Sequence, residues 1–320
     1  MLKKWLIVGT LGLGCLLLTA PLVRAQIKVL VVPKGTQTVF WKNVAAGAQK
    51  AGGELGIQVT YRGPLSQDQH QAQVHIVEFG IRKHYDAIVL APNHVELPAP
   101  ALKAAVARGI KVVLIDSNMN SHHHTSFIES NNYEAGEKAA DYAAGLINGA
   151  GNLALVRFMQ HHASTHEREQ GFIDRLEARY PHVSLTAQVR GGSTVGSAYH
   201  CVSKLLAQSP SMEVIFSVNE PTTMGALRAL RERHLQEKIK LIGFDSNTEI
   251  NKAILSGEMA ATIAQDPFNI GYMGVITAHR LVQGEAVPPR IHTDTVLIDA
   301  GNYHTAKVAE IIRSNTPPVE

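Results

Sequence analysis

Five polar side chains stand at or just past the ends of short apolar runs. They are Lys34 after 27–33, Asp116 closing 110–116, Asn219 after 214–218, Asp245 after 239–244 and Gln265 after 259–264. In open α/β sheets, strands buried on both faces read as such runs, and ligands bind at the edge where the strands end. Carboxylates, amides and an ammonium would then meet in one crevice. Phe40 and Trp41 follow the first run. An aromatic face beside carboxylates and amides suits a sugar, which has apolar C–H faces and a rim of hydroxyls. Arg168, at the start of a helix, would donate a bidentate fork to a hydroxyl pair. Each residue also has a plainer reading. Asp116 and Asp245 fit helix N-caps, Asn219 fits a turn, Phe40 fits the core, and Arg168 fits an ordinary surface position.

The elements that must carry these residues are repeated strand–helix units. Residues 213–247 show the pattern best: an apolar run to Val218, Asn219, then Pro221 in a first helical turn, then Met224, Leu227 and Leu230 at helical spacing, then a second run ended by Asp245. Toward the N-terminus, strands are expected at 27–33, 57–61, 86–91 and 110–116. The helices between them include one with Phe40, Val44, Ala48, Ala51 and Leu55 on one stripe, ended by Gly56, and others at 67–83 and 97–108. Four such units in a row with short connections predict a parallel, doubly wound sheet. A short crossing strand is expected at 127–130, followed by a capping-box start at Asn131 and Glu134. A second series follows, with strands at 153–158, 183–190, 214–218, 239–244 and 259–264. Asp266 and Pro267 open a helix to about 284, and the last strand lies near 295–298. The fold class is therefore α/β: two Rossmann-like lobes, each a parallel sheet flanked by helices. No Pro-, Gly- or Ser-rich linker separates them, so several short crossings form the hinge. The expected lobes are 26–130 with 266–291, and 131–265 with 292–320.

The first 25 residues read as a secretory signal peptide: Lys3 and Lys4, an apolar stretch from Trp5, and a small-x-small site at Val23-Arg24-Ala25. They hold three of the 30 basic residues and none of the 27 acidic ones, so the remainder carries 27 of each, a net charge of zero with His neutral. Nothing in that balance suggests a nucleic-acid footprint. Only Cys201 remains after processing, which rules out an intrachain disulfide. The 16 histidines include His122-His123-His124 and His161-His162 with His166. Adjacent histidines in a strand point to opposite faces, and no supported helical pair backs them, so they read as solvated loop residues and no metal is expected. His161 or His162 near Arg168 is an alternative ligand contact. Asp116 with Asp245 would also suit a glycosidase pair, but the chain has no nucleophile elbow, P-loop or dinucleotide glycine fingerprint. Neither catalysis nor a cofactor is expected.

The motifs Phe40-Trp41 with Gly47-Ala48-Gln49-Lys50, 110–116, Glu167 to Phe172, Asn219 with Met224 to Leu230, Gly243-Phe244-Asp245 and Ala260 to Gln265 carry a resemblance. Over nearly the whole mature chain, the sequence resembles the ribose-type periplasmic solute-binding proteins of ABC importers, of the type I periplasmic binding protein family. The resemblance implies that Phe40, Trp41, Asp116, Arg168, Asn219, Asp245 and Gln265 line a sugar site. It implies a monomeric periplasmic protein that hands a sugar or polyol to membrane permease subunits, or reports it to a chemoreceptor or kinase. Sugar-responsive repressors share the fold, but they carry a helix-turn-helix where this chain has its leader. The chain departs from ribose binders at Ala91, at Ser117 and near Ser193. Pro33-Lys34 with Tyr61-Arg62-Gly63-Pro64 is similar to the autoinducer-2-binding branch.

Overall fold

The computed structural model describes residues 26–208 and 211–316; the expected leader lies outside them. The first series runs β1 (Lys28–Val32), α1 (Val39–Leu55), β2 (Gln58–Tyr61), α2 (His70–Arg82), β3 (Ala87–Leu90), α3 (Ala99–Ala107), β4 (Lys111–Ile115) and β5 (Ser126–Ser130). The second runs α4 (Asn132–Leu146), β6 (Ala150–Arg157), α5 (Ala163–Arg179), β7 (His182–Arg190), α6 (Val195–Gln208), β8 (Val214–Ser217), α7 (Glu220–Glu232), β9 (Lys240–Phe244), α8 (Thr248–Leu255) and β10 (Ala261–Ala264). The chain closes with α9 (Pro267–Val282), β11 (Arg290–Thr293), β12 (Val296–Asp299) and α10 (Ala306–Ser314).

The strands form two six-stranded sheets, ordered β2-β1-β3-β4-β5-β11 and β7-β6-β8-β9-β10-β12. Every pair is parallel except β10 with β12. The two orders are equivalent, and in each the winding reverses beside the first strand, which is where open sheets hold ligands. The chain passes from the first sheet to the second after β5. It returns with α9, whose Ile270, Val275 and Ala278 pack against Val29, Val89 and Val113, and crosses again between β11 and β12.

β3, β4 apart from its first residue, and β5 are buried throughout, as expected for strands covered on both faces. The segment 126–130 is a full strand of the first sheet rather than a short crossing piece. β11 is absent from the sequence reading because RIHT is an exposed edge strand with no apolar run. α8 and α10 are short and also escaped it. α3 begins at Ala99, just past Pro98, rather than at Leu97. Glycines let paired helices touch. A Cβ on Gly47 or Gly271 would strike the backbone of the facing helix in the α1–α9 pair, and one on Gly136 or Gly171 would do so in α4–α5. Among the described residues, no helix is long and apolar enough to cross a membrane.

Candidate functional site

The C-terminal strand edges of the two sheets face each other across a small cavity. Lys34, Phe40, Trp41 and Asp116 line it from the first lobe, and Arg168, Asn219, Asp245 and Gln265 from the second. These eight candidate residues are thus brought together, whereas His161 and His162, the alternative contacts, do not line the cavity. Thr38, Gln67, Ser164, Thr165, Glu220 and Pro221 complete the lining and went unread. Glu220 and Pro221 directly follow Asn219, so the strand-end signal had already marked their place.

Asp116 and Asp245 occupy matching positions, one residue past β4 and β9. Each backbone N–H extends the ladder to the next strand, Asp116 to Ile128 O and Asp245 to Ile263 O, both at 2.8 Å. Each residue then turns into the left-handed region, at φ 62° and 70°. That conformation is uncommon for residues other than glycine and clusters where function holds it. Neither acid caps a helix: α8 is capped by Asn247. Asn219 does cap α7, its Oδ1 accepting from Thr222 N at 3.3 Å and Thr222 Oγ1 at 2.8 Å. The cap uses the oxygen and leaves the amide nitrogen without a protein partner.

Each lobe supplies a buried cation. Lys34 Nζ lies 2.6 Å from Asp116 Oδ2 and donates to Ser164 Oγ of the other lobe at 2.9 Å. Burial pulls the Lys34 pKa down, and Asp116 draws it back up. Arg168 Nε donates to Asn132 Oδ1 at 2.8 Å and Nη1 to Val218 O at 2.9 Å, with the guanidinium 3.8 Å from the Phe244 ring centroid. Nε and Nη1 each spend one donor on the protein, because the buried guanidinium needs fixed acceptors; one N–H on Nη1 and both on Nη2 are left. Asp245 Oδ1 accepts from Gln265 Nε2 at 2.7 Å and Oδ2 from Glu220 N at 2.8 Å. Burial raises the Asp245 pKa, while Arg168 and the Gln265 hydrogen bond oppose it.

Phe40 and Trp41 both belong to the core under α1 and also line the cavity, with ring centroids 4.8 Å apart at 86°. Two of the three departures also find structural places. Ala91 O accepts from Gln73 Nε2, and Ser117 Oγ accepts from Ser164 N at 3.1 Å, another bond between the lobes. One histidine differs from the sequence reading. His162 is 1% exposed with neither ring nitrogen paired, and it sits with His70, His94 and His161 in one ring cluster. His161 is itself left-handed at φ 65°. Contacts between the lobes bury His162, which no local pattern records. Among the described residues, no group of His, Cys, Asp and Glu has the arrangement to hold a metal ion.

Two equivalent parallel sheets with a polar, aromatic-flanked cavity between their C-terminal edges define a two-lobed α/β ligand-binding protein. The chain belongs to the family described as the periplasmic binding protein domain, whose model matches residues 29–286. It is 27% identical over 274 residues to a ribose import binding protein of Haemophilus influenzae, covering 86% of this chain and 92% of that protein. A D-allose-binding periplasmic protein of Escherichia coli is 25% identical over 276 residues, covering 83% of this chain and 87% of that protein. A carbohydrate transporter solute binding protein from Agrobacterium radiobacter, solved in complex with D-arabinose, superposes with a TM-score of 0.87 at 27% identity, covering 90% of this chain and 99% of that chain. An ABC-type sugar transport periplasmic component from Hahella chejuensis is 32% identical with a TM-score of 0.82, covering 85% of this chain and 99% of that one.

Proposed function

We propose that this protein captures one neutral monosaccharide, or a related polyol, between its lobes and delivers it to an ABC permease. The reading rests above all on the pair Asp116 and Asp245, each in a strained conformation at the end of an equivalent strand, facing one cavity beside Phe40 and Trp41. Carboxylates that accept from hydroxyls, a half-free Asn219 amide and Arg168 Nη2 suit a polyhydroxyl rim, and the aromatic pair suits a C–H face. The relatives named for ribose and allose, and the neighbour holding D-arabinose, support that ligand class. Lys34 stands where it can neutralise Asp116, and Ser117 stands where ribose binders have an arginine. This change and Ala91 argue for a sugar other than ribose.

The protein acts without turnover, as a monomer, after export by the leader at 1–25. Trp41 is the only tryptophan among the described residues, so it serves as the probe. Refolded, ligand-free mature protein is titrated with pentoses, hexoses, polyols and the furanosyl autoinducer while Trp41 emission and heat of binding are followed. One compound should saturate the signal at one ligand per chain and be recovered unchanged. Silence across the panel in a folded protein refutes the sugar reading, and chemically altered ligand refutes the non-catalytic one.

A further inference from the structure

α1, which carries Phe40 and Trp41 in its first turn, begins without a cap of its own. Thr38 at its N-cap makes no side-chain hydrogen bond to the turn. Instead, Val39 N donates to Glu220 Oε1 at 3.3 Å and Phe40 N to Glu220 Oε2 at 3.2 Å. Glu220 belongs to α7, in the other lobe. Its carboxylate also accepts from Asn247 Nδ2 at 3.1 Å, and its own N–H donates to Asp245 at 2.8 Å. The side chain is buried, at 7% exposure, and lines the cavity. One residue therefore joins the aromatic pair of the first lobe to the acid of the second. A carboxylate at a helix N-terminus is favoured by the helix dipole and by the unpaired N–H groups there. When the lobes part, this carboxylate returns to water and α1 loses its cap.

We propose that Glu220 is a positioning residue that caps α1 across the cleft only when the lobes are closed, setting Phe40 and Trp41 against the ligand as closure occurs. The proposal rests on the sugar-binding reading for its purpose, though not for its test. Burial and the neighbouring Asp245 push the Glu220 pKa up, and the N–H groups of Phe40 and Val39 with the Asn247 amide oppose them. Two of the bonds that hold the carboxylate charged, those from Phe40 N and Val39 N, are thus ones that closure supplies.

The test uses full-length mature protein with Glu220, Glu220→Gln or Glu220→Asp. The lobes are locked shut by a short bis-maleimide between cysteines placed at Asp68 and Ser193, which meet across the cleft at 3.1 Å, with Cys201→Ser to avoid side reaction. Amide exchange at Val39 and Phe40 is read with and without the lock. In the locked wild type both amides should be protected, and in locked Glu220→Gln they should exchange about tenfold faster, the ratio set by about 1.4 kcal/mol of lost hydrogen bonding. Glu220→Asp should restore part of the protection, and the unlocked ligand-free proteins should exchange alike. Equal exchange in locked wild type and Glu220→Gln overturns the proposal, as does a wild type protected equally when unlocked. Neither readout requires a sugar. A wild type that is protected on locking but binds no sugar refutes the proposed function and leaves the cross-lobe cap standing.

Discussion

The substitution Asp245→Asn separates the chemistry of the site from its architecture. Asparagine adopts the left-handed region at least as readily as aspartate, so the φ of 70° at this position is kept without new strain. Asp245 accepts from the Gln265 amide and from Glu220 N. The asparagine oxygen can keep the Glu220 N–H, and rotation of the Gln265 amide can turn its oxygen toward the new NH₂, so the ligand-free fold loses little. The like charge shared with Glu220 and Asp116 is also relieved. Binding fares worse. A ligand hydroxyl loses a carboxylate acceptor, and hydrogen bonds to charged groups are worth roughly twice neutral ones, a difference of about 1–2 kcal/mol. The dissociation constant should rise about 5- to 30-fold at 1.4 kcal/mol per decade. The ligand-free melting temperature should stay within about 4 °C, the shift expected for no more than about 1 kcal/mol. Calorimetric titration with the sugar identified by Trp41 emission, beside a ligand-free melt, measures both. A dissociation constant within twofold of wild type would refute the assignment of Asp245 as a ligand acceptor. A collapsed melt would show that the acid serves the fold instead.

Three further outcomes are expected. Burial holds the His162 pKa well below its usual value, with Lys34, His70, His94 and His161 adding repulsion; Asp68 faces His70, and Glu96 faces His94. Its contribution to closure is complete above the ordinary histidine pKa of about 6.5 and is lost as pH falls below it. Affinity for an uncharged sugar should therefore drop several-fold from pH 7.5 to 5, and His162→Phe, which keeps the edge contact with Phe158, should flatten that profile. Glu129 is pushed up to about 8 by burial and by Glu167, against the pull of Arg290. Its stabilising proton is present below the ordinary glutamate value of 4.5 and lost as pH rises through 8; the melting temperature should fall from pH 6 to 9, and Glu129→Gln should abolish the fall. In α5, Gly171→Ala drives a methyl into the Tyr133 carbonyl of α4, an overpacking cost of about 1–3 kcal/mol set against about 1 gained in helix propensity. It should lower the melting temperature and weaken binding through the Arg168–Asn132 contact, whereas Gly145→Ala, facing open space, should be neutral or stabilising.

The frame was legible because a parallel strand covered on both faces reads as an unbroken apolar run. IKVVLID and IKLIGFD announce both the strand and the acid that ends it. Finding such an acid at a strand end in each series was enough to place Asp116 and Asp245 at the C-terminal strand edges of their two sheets. What stayed hidden depends on distance in sequence. β11 has no apolar run and exists because β5 offers it an edge. Arg168 looked free to bind a ligand because Asn132 and the Val218 carbonyl lie 36 and 50 residues away. His162 looked solvated because the rings that bury it come from both lobes. At Asn219 the turn reading holds through the amide oxygen, which caps α7, while the nitrogen of the same amide is left without a protein partner.

The site's symmetry and its asymmetry make different demands on a ligand. Each lobe offers one strained acid with a buried cation at hand: Lys34 beside Asp116, and Arg168 acting on Asp245. Those charges nearly cancel, and the remaining carboxylate, Glu220, is held by N–H groups. An anionic ligand would meet no unspent cation other than Arg168 Nη2 and would face Glu220 as well, so the arrangement selects for neutral molecules. The aromatics come only from the first lobe and the amides Asn219 and Gln265 only from the second. A ligand resting on one lobe therefore satisfies either its C–H face or its full hydroxyl rim, and only a closed cleft satisfies both. Specificity is in this way coupled to closure: a molecule with the right hydroxyls but no apolar face gains too little from the first lobe to hold Glu220 against α1.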